Sequence, residues 1–363
     1  MSDTISTQDL ATTMVNTMTN KVAIFSDLHM GVHCNSSMWF DISREWADWF
    51  ANEMRNHSIT DIIFCGDFFH DRDTIAVNAI QASYQVLDKL RDFKLHIFPG
   101  NHDCFYKQNA SINSLTILKG WSNITVYESP TQIKIGDNCT AMMCPWGTSL
   151  DDIIPSDVVF GHFEIQTFKM NTFKICEGGL SIRKLLEKSP LIFSGHFHFR
   201  EERMFEIGQI IYCGNPFQTD MNDSNNAKGY YIFDSLSKSF SFYENTISPH
   251  IHRIKYSELS TKFDDILEIE TLIKGNIVEF IFNEKISVEE VASVKALVNS
   301  FYPRSIRFID ETQVEEVIRK EADYKPVDVE RAIIDFIDTM EYENAADLQE
   351  YAIYLYRKFK KKA

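Results

Sequence analysis

The residues of this chain that can do chemistry recur in one pattern. Five short blocks follow one another within the first 200 positions: Asp27-Leu28-His29, Gly66-Asp67-Phe68-Phe69-His70, Gly100-Asn101-His102-Asp103, Gly161-His162 and Gly195-His196-Phe197-His198. They offer carboxylates (Asp27, Asp67), an amide oxygen (Asn101) and imidazoles (His29, His162, His196, His198), the mixed nitrogen and oxygen donors of a divalent metal site. Imidazoles favour manganese, iron or zinc over magnesium, which prefers oxygen and keeps its waters. Two cations about 3.5–4 Å apart repel and need a shared carboxylate, for which Asp67 is the candidate. One D-x-H or G-H pair carries little meaning, because a lone histidine after a strand is usually a hydrogen-bonded surface residue. The inference rests on all five blocks in order.

Each block follows a short apolar run: Val22 to Phe25, Ile62 to Cys65, Leu95 to Phe98, Val158 to Phe160 and Leu191 to Phe193. These read as buried strands whose carboxyl ends converge at one sheet edge, where open α/β sheets build their sites. The glycines before Asp67, Asn101, His162 and His196 are expected to let the chain turn out of each strand without a Cβ clash. Between the runs, Trp39 to Met54 carries Ile42, Trp46, Trp49 and Phe50 at helical spacing, and Ile75 to Leu90 reads as a second helix. Strand and helix alternate, so the core is α/β. Ile210 to Tyr212, Tyr230 to Phe233 and Phe240 to Tyr243 read as a meander that makes the sheet mixed.

Beyond residue 250 the composition shifts. Ile277 to Phe282, a helix opened by the capping box Ser287-x-x-Glu290 with Val291, Val294 and Val298 on one face, and Ser305 to Ile309 read as a small α/β domain over 251–310. Residues 311–326 are charged and read as a linker. Over 327–363, Val329, Ala332, Ile333, Phe336, Ile337 and Met340 share one helical phase, and Leu348, Tyr351, Ala352, Leu355, Tyr356 and Phe359 repeat it. Such a helix pair is too short to fold alone. It docks either on its own body or in a partner's groove.

With 44% hydrophobic residues the 363-residue chain is neither disordered nor fibrous, and no apolar run approaches the roughly 20 residues of a membrane helix. Residues 1–20 are Thr/Ser/Asn-rich and lack the basic and apolar regions of a secretory signal, so a disordered extension is expected. Seven cysteines without a C-x-x-C pair suit a reducing, cytoplasmic setting. A net charge of −16 argues against coating nucleic acid by bulk electrostatics, though not against a local phosphate site.

The series DLH, GDFFH, GNHD, GH and GHFH resembles the calcineurin-like metallophosphoesterases and, within them, the SbcD-type DNA repair nucleases of the meiotic-recombination-eleven family. Phosphoprotein phosphatases carry Asp-Arg-Gly after their Gly-Asp and read GNHE. Gly161-His162-Phe163-Glu164 and Ile211 to Pro216 on to Gly229-Tyr230 are similar to the phage members of the nuclease branch. The resemblance is strong over residues 21–250. It implies a four-layer α/β/β/α sandwich with mixed sheets, followed by the small capping domain and a C-terminal helical hairpin. Asp27, His29, Asp67 and His198 would hold one metal, and Asp67, Asn101, His162 and His196 the other, with Mn2+ expected. His102 would be catalytic, with Asp103 orienting its ring, and His70 matches a histidine that some members use near DNA. The implied partners are DNA, an SbcC-type coiled-coil ABC ATPase bound by the C-terminal helices, and a second copy of the chain through helices near residues 75–118. A metallophosphoesterase acting on a small phosphodiester or a phosphoprotein, and a metal-free adaptor, are the alternatives.

Weaker signals have plainer readings. His250-x-His252 reads as a sheet surface, Cys104 as packing, and Lys107, Lys169, Lys174, Arg183 and Lys184 as solvated cations.

Overall fold

The computed structural model describes residues 17–259, 266–312, 329–338 and 345–360. Residues 1–16 of the expected extension over 1–20 and 313–326 of the expected linker over 311–326 lie outside these, while Thr17–Met18, expected to be disordered, form a strand paired with Lys134 and Ile135. β1 (Thr17–Met18) and β2 (Lys21–Phe25) are followed by α1 (Ser37–Asn56), β3 (Asp61–Phe64), α2 (Val77–Lys89), β4 (Lys94–Ile97) and β5 (Ile124–Val126). Next come β6 (Thr131–Ile135), β7 (Cys139–Cys144), β8 (Val158–His162), α3 (Ile182–Leu186) and β9 (Leu191–Gly195). β10 (Glu201–Phe205), β11 (Gly208–Tyr212), β12 (Gly229–Asp234) and β13 (Ser239–Glu244) complete this part.

One mixed sheet has the order β13-β12-β2-β3-β4-β5 and the other the order β1-β6-β7-β8-β9-β11-β10. Strand side chains alternate between faces, and the period separates three cores. Val22, Ile24 and Ile63 of the first sheet share a core with Phe160, Phe193 and Ile211 of the second. The intervening Ala23, Phe25, Ile62 and Phe64 turn to the helices and meet Trp46, Phe50 and Val86. The Phe25 ring lies 4.9 Å from Trp46 and 5.1 Å from Phe50. On the outer face of the second sheet Val159, Ile192 and Ile210 pack with Leu185 and Leu186. Each fully buried Phe, Ile, Leu or Val contributes about 1.5–3 kcal/mol. The layers are therefore α/β/β/α.

Two expectations are corrected. The carboxyl ends that carry the chemistry belong to two sheets: β2, β3 and β4 lie in one, β8 and β9 in the other. The last three strands are not one meander either. β11 runs parallel to β9, whereas β12 and β13 form a hairpin that pairs with β2 in the opposite sheet.

β14 (Ile251–Lys255), α4 (Ile266–Ile273), β15 (Ile277–Phe282), α5 (Val288–Ser300) and β16 (Ser305–Asp310) give a small sheet ordered β14-β15-β16. At the start of α5, Ser287 Oγ accepts from the Glu290 amide at 3.1 Å, while the Glu290 carboxylate takes the Tyr256 hydroxyl. α6 (Val329–Asp338) and α7 (Ala345–Lys360) pack on each other and are tied by Arg357 on Glu330. The chain divides into two compact units. One is Met1–Arg253 with Asp264–Glu279 and Ser293–Arg307, and the other is Ile254–Phe263 with Phe280–Ala292 and Phe308–Ala363. Among the described residues no helix is long and apolar enough to cross a membrane.

Candidate metal centre

The loops that leave β2 and β3 run side by side past the strand ends. The Asp27 amide donates to the Gly66 carbonyl (3.0 Å), the His29 amide to the Asp67 carbonyl (3.1 Å) and the Met30 amide to the Phe68 carbonyl (2.8 Å). Asp27, His29, Asp67 and His196 all have positive φ, at 55°, 49°, 61° and 95°. For residues with a Cβ this costs on the order of 1–2 kcal/mol each and persists only where surrounding contacts enforce it. At Asp67 the enforcer is Asp103. Its buried carboxylate accepts from the amides of Asp67 (2.9 Å), Phe68 (3.1 Å), Phe69 (3.0 Å) and Gly100 (3.0 Å).

Asp103 therefore does not orient the His102 ring as expected. It braces the loop that presents Asp67. The His102 ring is fixed instead by Nδ1, which donates to the His70 carbonyl at 2.6 Å. The glycines avoid Cβ clashes as expected: Gly66 has φ +90°, and at Gly100 a Cβ would lie 2.1 Å from Asp67 Oδ1 and 2.4 Å from its amide nitrogen.

All seven expected donors come together. His29 Nε2 lies 2.8 Å from His198 Nε2 and 3.6 Å from Asp67 Oδ2. His162 Nε2 lies 3.3 Å from the same Asp67 oxygen and 3.0 Å from Asn101 Oδ1. His196 Nδ1 is 2.7 Å from that amide oxygen, and the His196 amide faces both Asp27 oxygens at 3.2 and 3.3 Å. Among the described residues, Asp27-His29-His198 and Asp27-Asp67-His162 each place their donor atoms within 4.8 Å of one another. A third such set, His29-His70-His102, brings in His70, which stacks on His102 at 5.6 Å.

The residues fit divalent cations. His162 Nδ1 donates to the Cys65 carbonyl at 2.7 Å, so Nε2 is the nitrogen turned to Asn101 and Asp67, as an outer hydrogen bond sets a ligating imidazole. Nε2 thus faces two oxygen acceptors, an arrangement that calls for positive charge between them. The electrostatics agree. Burial works against charge on His162, yet Asp67 and Asp27 outweigh it and push its pKa up to about 9. Burial and then the neighbouring His162 press His196 down to about 3, and burial and then His198 hold His29 well below the usual imidazole value, leaving lone pairs for a cation. Burial also opposes ionisation of Asp67, but His162 and His29 hold it well below the usual carboxylate range.

Two supports were not visible in the sequence blocks. Behind His198, the buried pair Lys228–Asp223 (2.7 Å) carries the Lys228 ammonium to the His198 carbonyl, and Asp223 also accepts from Asn215 Nδ2 at 3.0 Å. Only Asn215, within Cys213-Gly214-Asn215-Pro216, carried a sequence signal. Trp146 lies 5.1 Å from the His196 ring and 6.0 Å from His162, held by Nε1 on the Lys107 carbonyl at 2.8 Å. The sequence blocks gave no signal of it. Cys104 is a packing residue, its thiol pushed up to about 12 by burial and then by Asp103. His250 contacts Gln218 and lies apart from the three donor sets.

Residues 20–200 match the family model of the calcineurin-like phosphoesterases. Exonuclease subunit 1 of Enterobacteria phage T4 is 27% identical over 247 residues, covering 65% of this chain and 70% of the phage protein. Among solved structures, a dimetal phosphatase from Danio rerio aligns with a TM-score of 0.37 and 11% identity over 58% of this chain and 91% of its own. GAP50, the anchor in the inner membrane complex of Plasmodium, aligns with a TM-score of 0.37 and 13% identity over 62% of this chain and 88% of its own. With five strand ends from two sheets presenting Asp, Asn and His donors inside the matched segment, the chain belongs to the calcineurin-like phosphoesterases and is a metal-dependent phosphoesterase.

Proposed function

We propose that this protein is a manganese-dependent DNA exonuclease and endonuclease subunit that hydrolyses phosphodiesters with two metal ions. The observation that carries the two-ion reading is Asp67, whose Oδ2 stands 3.6 Å from His29 Nε2 in one donor set and 3.3 Å from His162 Nε2 in the other. The DNA reading draws on the phage relative, an exonuclease subunit. Divalent ions bound here supply a deprotonated water at neutral pH and neutralise the phosphate. The chain's own residues do the rest. Asp67 would serve both donor sets, Asn101, His162 and His196 would complete the second, and Asp103 holds the Asp67 loop. With Nδ1–H on the His70 carbonyl, His102 leaves Nε2 as the nitrogen that, in the doubly protonated ring, gives a proton to the leaving oxygen and returns to the neutral Nδ1–H form. Four imidazoles among seven donors favour manganese over magnesium.

Two partners belong to this reading. The pair α6–α7, with Tyr351 60% and Tyr354 55% exposed, docks an SbcC-type coiled-coil ABC ATPase. On α2, Val77 (82% exposed), Ile80 (45%) and Tyr84 (59%) fall on one helical face, and Ile112 and Ile117 are exposed as well; these apolar side chains would meet a second copy. The test is purified protein with Mn2+ on end-labelled linear DNA beside 4-nitrophenyl phosphate. Cleavage of DNA with little monoester turnover supports the proposal. Efficient monoester hydrolysis with intact DNA overturns it.

A further inference from the structure

Beside the metal centre lies a pocket of about 220 Å3 that reaches His196 and His198 and is otherwise walled by Met170, Asn171, Phe197, Phe199 and Asn222, together with the acidic Asp220 and Asp223, the latter paired with Lys228. One wall is the tip of a hairpin closed by the Lys169–Ile175 bridge. The tip is stiff. Asn171 Oδ1 accepts from the amides of Phe173 (2.9 Å) and Lys174 (2.8 Å), the Met170 amide donates to the Lys174 carbonyl (2.8 Å), and Thr172 Oγ1 donates to the Asn222 carbonyl (3.1 Å). On this braced tip Phe173 is 88% exposed, an apolar ring carried in water by a bonded backbone next to a pocket that opens on the reactive centre.

The lining suits one kind of guest. Phe199 offers an aromatic surface with the Lys169 ammonium 5.0 Å from its centroid, and Asn171, whose Oδ1 is taken by the tip's own amides, and Asn222 bring polar side chains to the wall. The volume falls below the roughly 300–1,000 Å3 of sites for larger small molecules, which suits one planar ring system and not a whole nucleotide. Lys169 and Lys174, both exposed, put two cations on the hairpin of a chain whose net charge is −16. Those two cations, and not the net charge, favour a polyanionic strand. We propose that the pocket receives the unpaired base of the nucleotide beside the scissile phosphate, with Phe173 stacking in its place and parting it from the duplex. This inference rests on the DNA reading above and deepens it. The site then acts on a strand whose terminal base has left the stack, and a paired end must be opened first at the cost of its own stacking.

The experiment compares kcat/KM in Mn2+ on two linear substrates, one with a fully paired end and one with a mismatched terminal pair, for wild type, Phe173→Ala and Phe173→Trp. Loss of one stacking aromatic predicts a fall of about tenfold or more for Phe173→Ala on the paired end. The fall on the mismatched end should be smaller, and Phe173→Trp should restore the paired-end rate. At 88% exposure the ring contributes little to folding, so the variants remain comparable with wild type. An unchanged ratio of paired to mismatched rates in Phe173→Ala, with wild type cutting both substrates, overturns this inference alone. A wild-type protein that cuts neither DNA while hydrolysing bis(4-nitrophenyl) phosphate overturns the DNA reading, and this inference with it.

Discussion

His102 and Asp103 adjoin in sequence but do different work. His102 is half-buried and anchored by its Nδ1 on the His70 carbonyl, while Asp103 is buried and gathers four backbone amides. His102→Ala should cut DNA cleavage by about 10²-fold or more, the range for losing a general acid, with metal content near that of wild type. Elemental analysis alongside the rates checks this, and metal lost together with activity would make His102 a ligand instead. A second residue sets acid stability away from the metal centre. Burial opposes ionisation of Asp61, but bonds from His96, Thr60 and Thr19 overcome it and hold the carboxyl down at about 2, from 3.8. Because the folded value lies below the unfolded one, the contribution is present in full above pH 4–5 and fades as pH falls through about 2. It amounts to about 2 kcal/mol at pH 7, of which about half remains at pH 3. Asp61→Asn should therefore lower stability at pH 7 by roughly that amount, with the gap narrowing towards pH 3 in urea titrations. A gap that stays constant with pH would show that the bonds to Asp61 are not charge-dependent.

At the scale of elements, the parallel loops after β2 and β3 and the turn after β4 make one braced assembly, and its tightest point is Gly100. Gly100→Ala must push on Asp67 and should weaken Mn2+ binding at least tenfold (about 1.4 kcal/mol). Gly120→Ala, which meets nothing within 4 Å, is the matched control. Equal Mn2+ affinity in the two variants would mean that the loop yields without moving its carboxylate. The strands and donors were legible in the sequence because each donor directly follows an apolar run, a local pattern. The partition of those runs between two sheets was not, because pairing register depends on contacts distant in sequence. For the same reason the sequence could suggest that Asp103 belonged to the site but not that it faces the backbone of residues 67–69. Lys228, 30 positions beyond His198, gave no local signal of reaching its carbonyl.

At the scale of the whole molecule, every proposed metal donor precedes residue 200, while the helix pair α6–α7 follows residue 328. Truncation near residue 322 should leave Mn2+-dependent cleavage of simple DNA intact and abolish co-purification with the ATPase. Loss of basal cleavage would show instead that the helices support the nuclease body. All of this depends on one shared carboxylate. Calorimetric titration of Mn2+ into metal-stripped wild type and Asp67→Ala tests it most directly. Two ions should bind per wild-type chain, and both positions should weaken in the variant. An Asp67→Ala protein that holds two Mn2+ ions as tightly as wild type would contradict a shared Asp67 and the two-ion site built on it.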